Sequence, residues 1–206
     1  KTEKICMKVN LIVIFLSLVF YTSGVHAHTF TGMVGFYDGL SHPVLGIDHF
    51  LAMVSVGIVS AQIGGRAIWT IPATFVLMMI IGGTIGMLIE VFFFDLEESA
   101  FIFVEYGIVF SVILLGLAIA IEKKIATNII MIFICIFGMC HGLAHGMEMP
   151  WAVNPILFAL GFASGTAILH LFGVGIGSLA IKTKFSSIVL KVAGAGCALF
   201  GISLLF

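Results

Sequence analysis

Six apolar runs, each long enough to cross a lipid bilayer, fill nearly all of this chain: about 44–64, 70–94, 100–121, 126–145, 154–179 and 187–206. A transmembrane helix needs about 20 apolar residues, and the stretches between these runs are too short to hold a soluble domain. Only 9% of the 206 residues are charged and 61% are hydrophobic, whereas soluble domains carry about 25% charged residues. The fold class that follows is an all-α integral membrane protein, a six-helix transmembrane bundle. With a net charge of −1 and no basic tract, nucleic acid is not expected as a partner; the lipid bilayer is. The four cysteines, Cys6, Cys135, Cys140 and Cys197, form no CxxC pair, so no disulfide framework is expected.

Residues 1–27 read as a secretory signal peptide. Lys1, Lys4 and Lys8 form its basic start, Leu11 to Tyr21 its apolar core, and Val25-His26-Ala27 the small residues before cleavage. The rival reading is an uncleaved anchor, because residues 11–25 come close to spanning length. Cleavage after Ala27 would leave a permease-sized domain, 28–206, with His28 at its N-terminus, where an α-amine and an imidazole can chelate a divalent ion together. Positive residues mark the cytoplasmic side of a membrane protein, and Arg66, Lys123, Lys124, Lys182, Lys184 and Lys191 fall at alternate ends of the spans. The expected location is therefore the cell membrane (the inner membrane of a bacterium), crossed several times, with the mature N-terminus outside. Asp38, Asp95, Glu97, Glu98 and Glu148 then gather on the outer face. Glycines recur at four-residue intervals (Gly82 and Gly86; Gly138, Gly142 and Gly146; Gly161 and Gly165), a spacing that lets helix backbones approach closely in lipid. Gly32, Gly35 and Gly39 mark a short stretch before the first span, expected at the membrane surface.

Polar side chains are scarce in these runs, so the ones present carry information. An Asp at the centre of a membrane helix costs about 2.5–3.5 kcal/mol on insertion scales. Ser41-His42-Pro43-Val44-Leu45-Gly46-Ile47-Asp48-His49 nevertheless opens the first span with two histidines and a carboxylate. Pro43 suits a helix start, because proline lacks only a donor that the first turn would not use. At the outer end of the fourth span, His141 and His145 are four residues apart and Glu148 is three further, so a continuing helix sets all three on one face. Imidazoles at that spacing can reach one ion. The glycine stripe beside them is expected to bring the first span close. Thr166 and His170 repeat the four-residue spacing deeper in the fifth span, where His170 is a relay partner or a satisfied packing residue. Glu105 is a further carboxylate within the third span. Taken singly, Asp48 also fits a solvated helix start and His49 a hydrogen-bonded core histidine; Cys140, beside His141, reads most simply as a buried inert thiol. Nitrogen with oxygen donors suits Ni, Co, Zn or Cu(II), whereas Mg or Ca would want oxygen alone.

At these residues the chain resembles the HupE/UreJ family of nickel/cobalt permeases. One signature is similar to Gly35-Phe36, His42-Pro43, Gly46, Asp48-His49, Ala52-Met53 and Val56-Gly57; a second to His141-Gly142, Ala144-His145-Gly146 and Glu148; a third to Gly161-Phe162, Thr166, Leu169-His170 and Gly173. Glu105, Ile108, Ser111 and Leu115-Gly116 also resemble the family's third-span pattern. The resemblance implies a cleaved signal peptide, a six-helix core and uptake of Ni(II), sometimes Co(II), for metalloenzymes such as hydrogenase or urease. By position it gives His42, Asp48, His49, His141 and His145 a place on the metal path. The acidic 95–98 loop matches nothing in that pattern.

The leading expectation is a secondary permease, not an enzyme, with a metal ion as substrate and no prosthetic group. Its metal-contacting set is His28, His42, Asp48, His49, Glu105, His141, His145, Glu148 and His170. Two alternatives stay open: an intramembrane metal hydrolase using the same cluster to activate water, and a metal sensor or store without an inward path. Self-association into a homo-oligomer also stays open.

Overall fold

The computed structural model describes residues 35–92, 98–122, 125–149 and 153–206. The expected signal peptide, His28, Asp95, Glu97 and the Lys123-Lys124 pair lie outside the described residues. Within them the chain is entirely helical: α1 (Gly35–Leu45), α2 (Ile47–Ile63), α3 (Ala67–Phe92), α4 (Glu98–Ile121), α5 (Thr127–Met147), α6 (Pro155–Ala180) and α7 (Lys184–Ser203). Five helices are long and apolar enough to cross a membrane, or six if α1 and α2 count as one span bent by 81°. The chain is thus a membrane helical bundle.

The first span differs from the sequence expectation. Pro43 does not open a helix but sits inside α1, in its last turn. The break falls at Gly46, whose backbone is extended (φ −82°, ψ 117°). Across it Gly46 N–H still reaches the His42 carbonyl at 3.4 Å, and Phe50 N–H the Gly46 carbonyl at 2.8 Å. Proline and glycine weaken the ladder together, the first by lacking a donor and the second by its conformational freedom. The glycine-marked stretch expected at the surface is α1 itself, with Gly35 and Gly39 buried.

Every residue of α2 from Ala52 to Ala61 is buried, which makes it the axis of the bundle. The broadest interfaces are α3 with α5, α2 with α6, α1 with α6 and α4 with α7. All four rest on glycine. A Cβ on Gly142 would strike the Met79 carbonyl oxygen of α3, and one on Gly161 would strike the Phe36 carbonyl oxygen of α1. Backbone cannot swing aside as a side chain can, so these contacts require the bare glycine. The opposite ends of the helices carry the polar punctuation. Asn154 caps α6 through Ile156 and Leu157 N–H, and Thr183 caps α7 through Ser186 N–H.

Gly142→Leu is expected to lose well over the 1–3 kcal/mol typical of overpacking, read as a lower thermal midpoint in detergent. Gly175, with nothing within 4 Å of its would-be Cβ, should accept alanine within about 1 kcal/mol.

Candidate metal site

The broken span brings two helix ends together at one point: the last turn of α1, carrying His42, and the first turn of α2, carrying Asp48 and His49. Asp48 at a helix N-terminus is favoured by the positive end of the helix dipole. Its Oδ1 accepts hydrogen bonds from the His49 backbone N–H and from His49 Nδ1, each at 2.9 Å. With Nδ1 donating to the carboxylate, the ring's lone pair is on Nε2, an atom that is buried with no hydrogen-bond partner. A carboxylate that orients an imidazole and raises its basicity is the usual support for a metal-ligating histidine.

The last turns of α5 bring the second pair. His141 is fully buried and His145 is 3% exposed. His141 Nδ1 donates to the Phe137 carbonyl at 2.8 Å, which again leaves a lone pair on a buried, unpartnered Nε2. Both ring nitrogens of His145 are buried without a hydrogen bond, and its Nδ1 lies 4.0 Å from Glu148 Oε2. Leaving such groups unsatisfied costs about 1–3 kcal/mol each, so three imidazoles with unpartnered nitrogens in one place are a debt that a bound cation would cancel.

The four rings converge. His145 is at the centre, 4.4 Å from both the His42 and the His49 ring centroids, while His49 lies 5.2 Å from His141. His42, His145 and Glu148 each offer a donor atom within 4.8 Å of the others. Phe162 stands against His145 at 4.5 Å. Below, the Phe75 ring lies between His141, at 5.3 Å, and His170, at 5.2 Å. His170 is 1% exposed with neither nitrogen hydrogen-bonded.

The structure therefore brings His42, Asp48, His49, His141, His145 and Glu148 into one cluster and sets His170 one aromatic ring away. Glu105 stands on α4, exposed, within reach of the charges of Asp48 and His49 but hydrogen-bonded to neither. Two expectations need correcting. The glycines beside His141 do not approach the first span; Gly138, Gly142 and Gly146 pack on α3, at Phe75, Met79 and Gly83. The two clusters meet instead because side chains from α1, α2 and α5 reach across the space α3 and α6 enclose. Thr166, four residues before His170, turns its hydroxyl to the Met79 sulfur at 3.5 Å. Pro43, as above, ends one helix where it was expected to begin another. Cys140 is partly buried, with its sulfur against Gly107 of α4. Phe75 was not singled out in the sequence, where nothing separates it from the other 19 phenylalanines.

Ser41 and Ser164 bond backbone carbonyls of their own helices, at Tyr37 and Leu160, and Ser55 lies 3.8 Å from the Cys197 sulfur. None of these bonds joins a serine to a histidine.

The family model described as "HupE / UreJ protein" matches residues 16–204. Protein HupE of Rhizobium leguminosarum bv. viciae is 38% identical over 199 residues, covering 97% of this chain and 99% of that protein. No solved structure matches the chain. Matches that run across nearly the whole length, through both histidine clusters and the spans between them, mean that the chain belongs to the HupE/UreJ family.

Proposed function

We propose that the protein is a secondary permease that takes up a divalent transition metal, Ni(II) or Co(II), through the histidine cluster at the break between α1 and α2. The observation that carries this reading is the convergence of buried imidazole nitrogens, without partners, on a helix break inside an apolar bundle. Discontinuous helices of that kind present backbone and side-chain donors to ions in secondary transporters. Nitrogen donors with the Asp48 and Glu148 carboxylates give the mixed set that borderline metals prefer; nickel and cobalt are favoured among them by the family resemblance. Metal is captured by His42, His49, His141 and His145, with Asp48 orienting His49, and His170 waits deeper, behind Phe75. His28, if the signal peptide is removed, would add a chelating N-terminus. The membrane potential supplies about 2.3 kcal/mol per elementary charge at 100 mV, roughly twice that for a dication that moves uncompensated. The orientation that uses this energy has the cluster outside and Arg66, Lys182 and Lys184 inside. A thiol placed at position 66 should then react with impermeant maleimide only in inverted vesicles.

Asp48→Asn and His145→Ala are each expected to lower radiolabelled nickel or cobalt uptake by about 10- to 100-fold, the range seen when metal-site supports are removed. The double variant should be hardly worse than either single one, because residues acting as a unit are non-additive. Losses that multiplied would mean two separate sites.

Glu105→Gln should lower uptake at unchanged membrane abundance, since the carboxylate adds negative charge beside Asp48 and His49. Equal losses of uptake and abundance would make Glu105 structural.

A further inference from the structure

The histidine cluster occupies one end of the bundle, and a cavity of about 300 Å³ occupies the other. The cavity lies between α2, α4 and α5, with Val59 and Gln62 on the first, Ala118 and Glu122 at the end of the second, and Thr127 and Ile130 on the third. Helical spacing of three and four residues joins the two ends along a single face of each helix. On α2 that face runs His49, Met53, Val56, Val59; on α4 it runs Glu105, Ile108, Val112, Leu115, with Glu122 one residue past the helix end; on α5 it runs His145, His141, Ile134, Ile130. Between the ends, Met53, Val56, Val112, Leu115 and Ile134 are buried in one apolar cluster. From His141 to Ile130 is about 16 Å at 1.5 Å per residue.

Among the described residues Glu122 is the one carboxylate on the cavity wall, and it is held unusually. Its backbone has φ 49°, alone among the described non-glycine residues in that region, where L-residues lose roughly 1–2 kcal/mol and where a helix normally ends in glycine. Lys191 of α7 is ion-paired with it, and the Ser187 hydroxyl donates to both carboxylate oxygens at 3.0 and 2.9 Å. Lys191 is not itself on the cavity wall. The Lys191 ammonium first, and Ser187 with it, hold the Glu122 carboxyl below its ordinary range, so it is negative at neutral pH. Gln62 uses its Nε2 on the Ile119 carbonyl at 3.3 Å, which leaves its carbonyl oxygen as an acceptor.

We propose that this cavity is a second cation station at the inward end of the same α2–α4–α5 file, taking a hydrated divalent cation against Glu122, with Lys191 as the built-in counter-ion that a passing dication displaces. The inference rests on the transport reading above. Three features fit the station to a hydrated ion. The donors it offers among the described residues, the Glu122 carboxylate, the Gln62 carbonyl and the Thr127 hydroxyl, are oxygens, which suits an ion that keeps its water. Six waters at about 30 Å³ each need about 180 Å³, which the cavity holds. The apolar plug between the stations lets the two ends be wetted separately, as alternating access requires.

Uptake of nickel or cobalt into cells is measured for the wild type, Glu122→Gln, Lys191→Met and the exchanged pair Glu122→Lys with Lys191→Glu. A station at Glu122 predicts a severalfold lower maximal rate in Glu122→Gln at unchanged half-saturating external metal, because capture at the far cluster is untouched. The exchanged pair should stay as slow, since it restores the ion pair but puts a cation on the cavity wall. Uptake by the exchanged pair at the wild-type rate would overturn the proposal and leave Glu122–Lys191 a structural tie. A second measurement does not depend on transport. A thiol placed by Thr127→Cys, read against protein without it, should be protected from maleimide by Mn(II), an ion that prefers oxygen to sulfur. That protection should vanish when Glu122→Gln is added; its absence in the Thr127→Cys protein, or its survival in the double variant, would likewise overturn the station. Failure of wild-type uptake, by contrast, would sink the transport reading while the Mn(II) result still decides the cavity.

Discussion

Everything at the histidine cluster depends on a helix broken inside an apolar bundle. In lipid a backbone group without a hydrogen-bond partner costs several kcal/mol, so irregular backbone is tolerated only where it is buried in protein or lines a polar space. The turn at Gly46 meets that condition by closing His42 O and Gly46 O with amides from across the break. What the break achieves is geometric. It ends α1 and starts α2 at the same depth, so that residues 42 and 49, which a straight helix would set two turns apart, point at one place. The 81° bend also frees the first turn of α2 for Asp48, where the helix dipole favours a carboxylate.

The cluster is organised by the hydrogen bonds that its histidines make on their far sides. Asp48 fixes His49 through Nδ1, and the Phe137 carbonyl fixes His141 through Nδ1. Each bond selects the tautomer that presents a bare Nε2 to the interior. An uncharged imidazole tolerates burial far better than a charged one, and it is the form that ligates metal. A dication entering there would meet neutral nitrogens for selectivity and the Asp48 and Glu148 carboxylates for charge. Asp48 is hydrogen-bonded to a ring, whereas Glu148 stands at the exposed edge.

Close glycine contacts hold this arrangement without using the residues that line it. Gly142 and Gly146 press α5 on to α3, and Gly161 presses α6 on to α1, so the faces bearing His141, His145 and Phe162 turn inward by default. Small residues on one face of a helix and functional residues on the next are a natural pairing in lipid, where packing and not hydrophobicity draws helices together. Phe75 belongs to the same design: its helix is brought in by the α5 glycines, and its ring is placed between His141 and His170.

The amino-acid sequence by itself determined the membrane class and the order of the apolar spans. It also singled out the six histidines and carboxylates that gather at the break, together with Glu105 and His170, which stand apart from that set, and His28, which lies outside the described residues. These are properties of length, hydropathy and three-to-four spacing, all of which are local. His141 and His145 could be set on one helix face from spacing alone, and His42, Asp48 and His49 could be matched to them by order along the chain. Tertiary structure decided the rest, because convergence depends on how helices rotate and cross. It turned Pro43 from a helix start into part of a helix end and made Gly46 the hinge. It sent the α5 glycines to α3 instead of the first span, turned Thr166 to Met79, and faced Cys140 toward Gly107. It also joined Glu122 to Lys191 across 69 positions of sequence, a contact that no periodicity within either helix could have signalled.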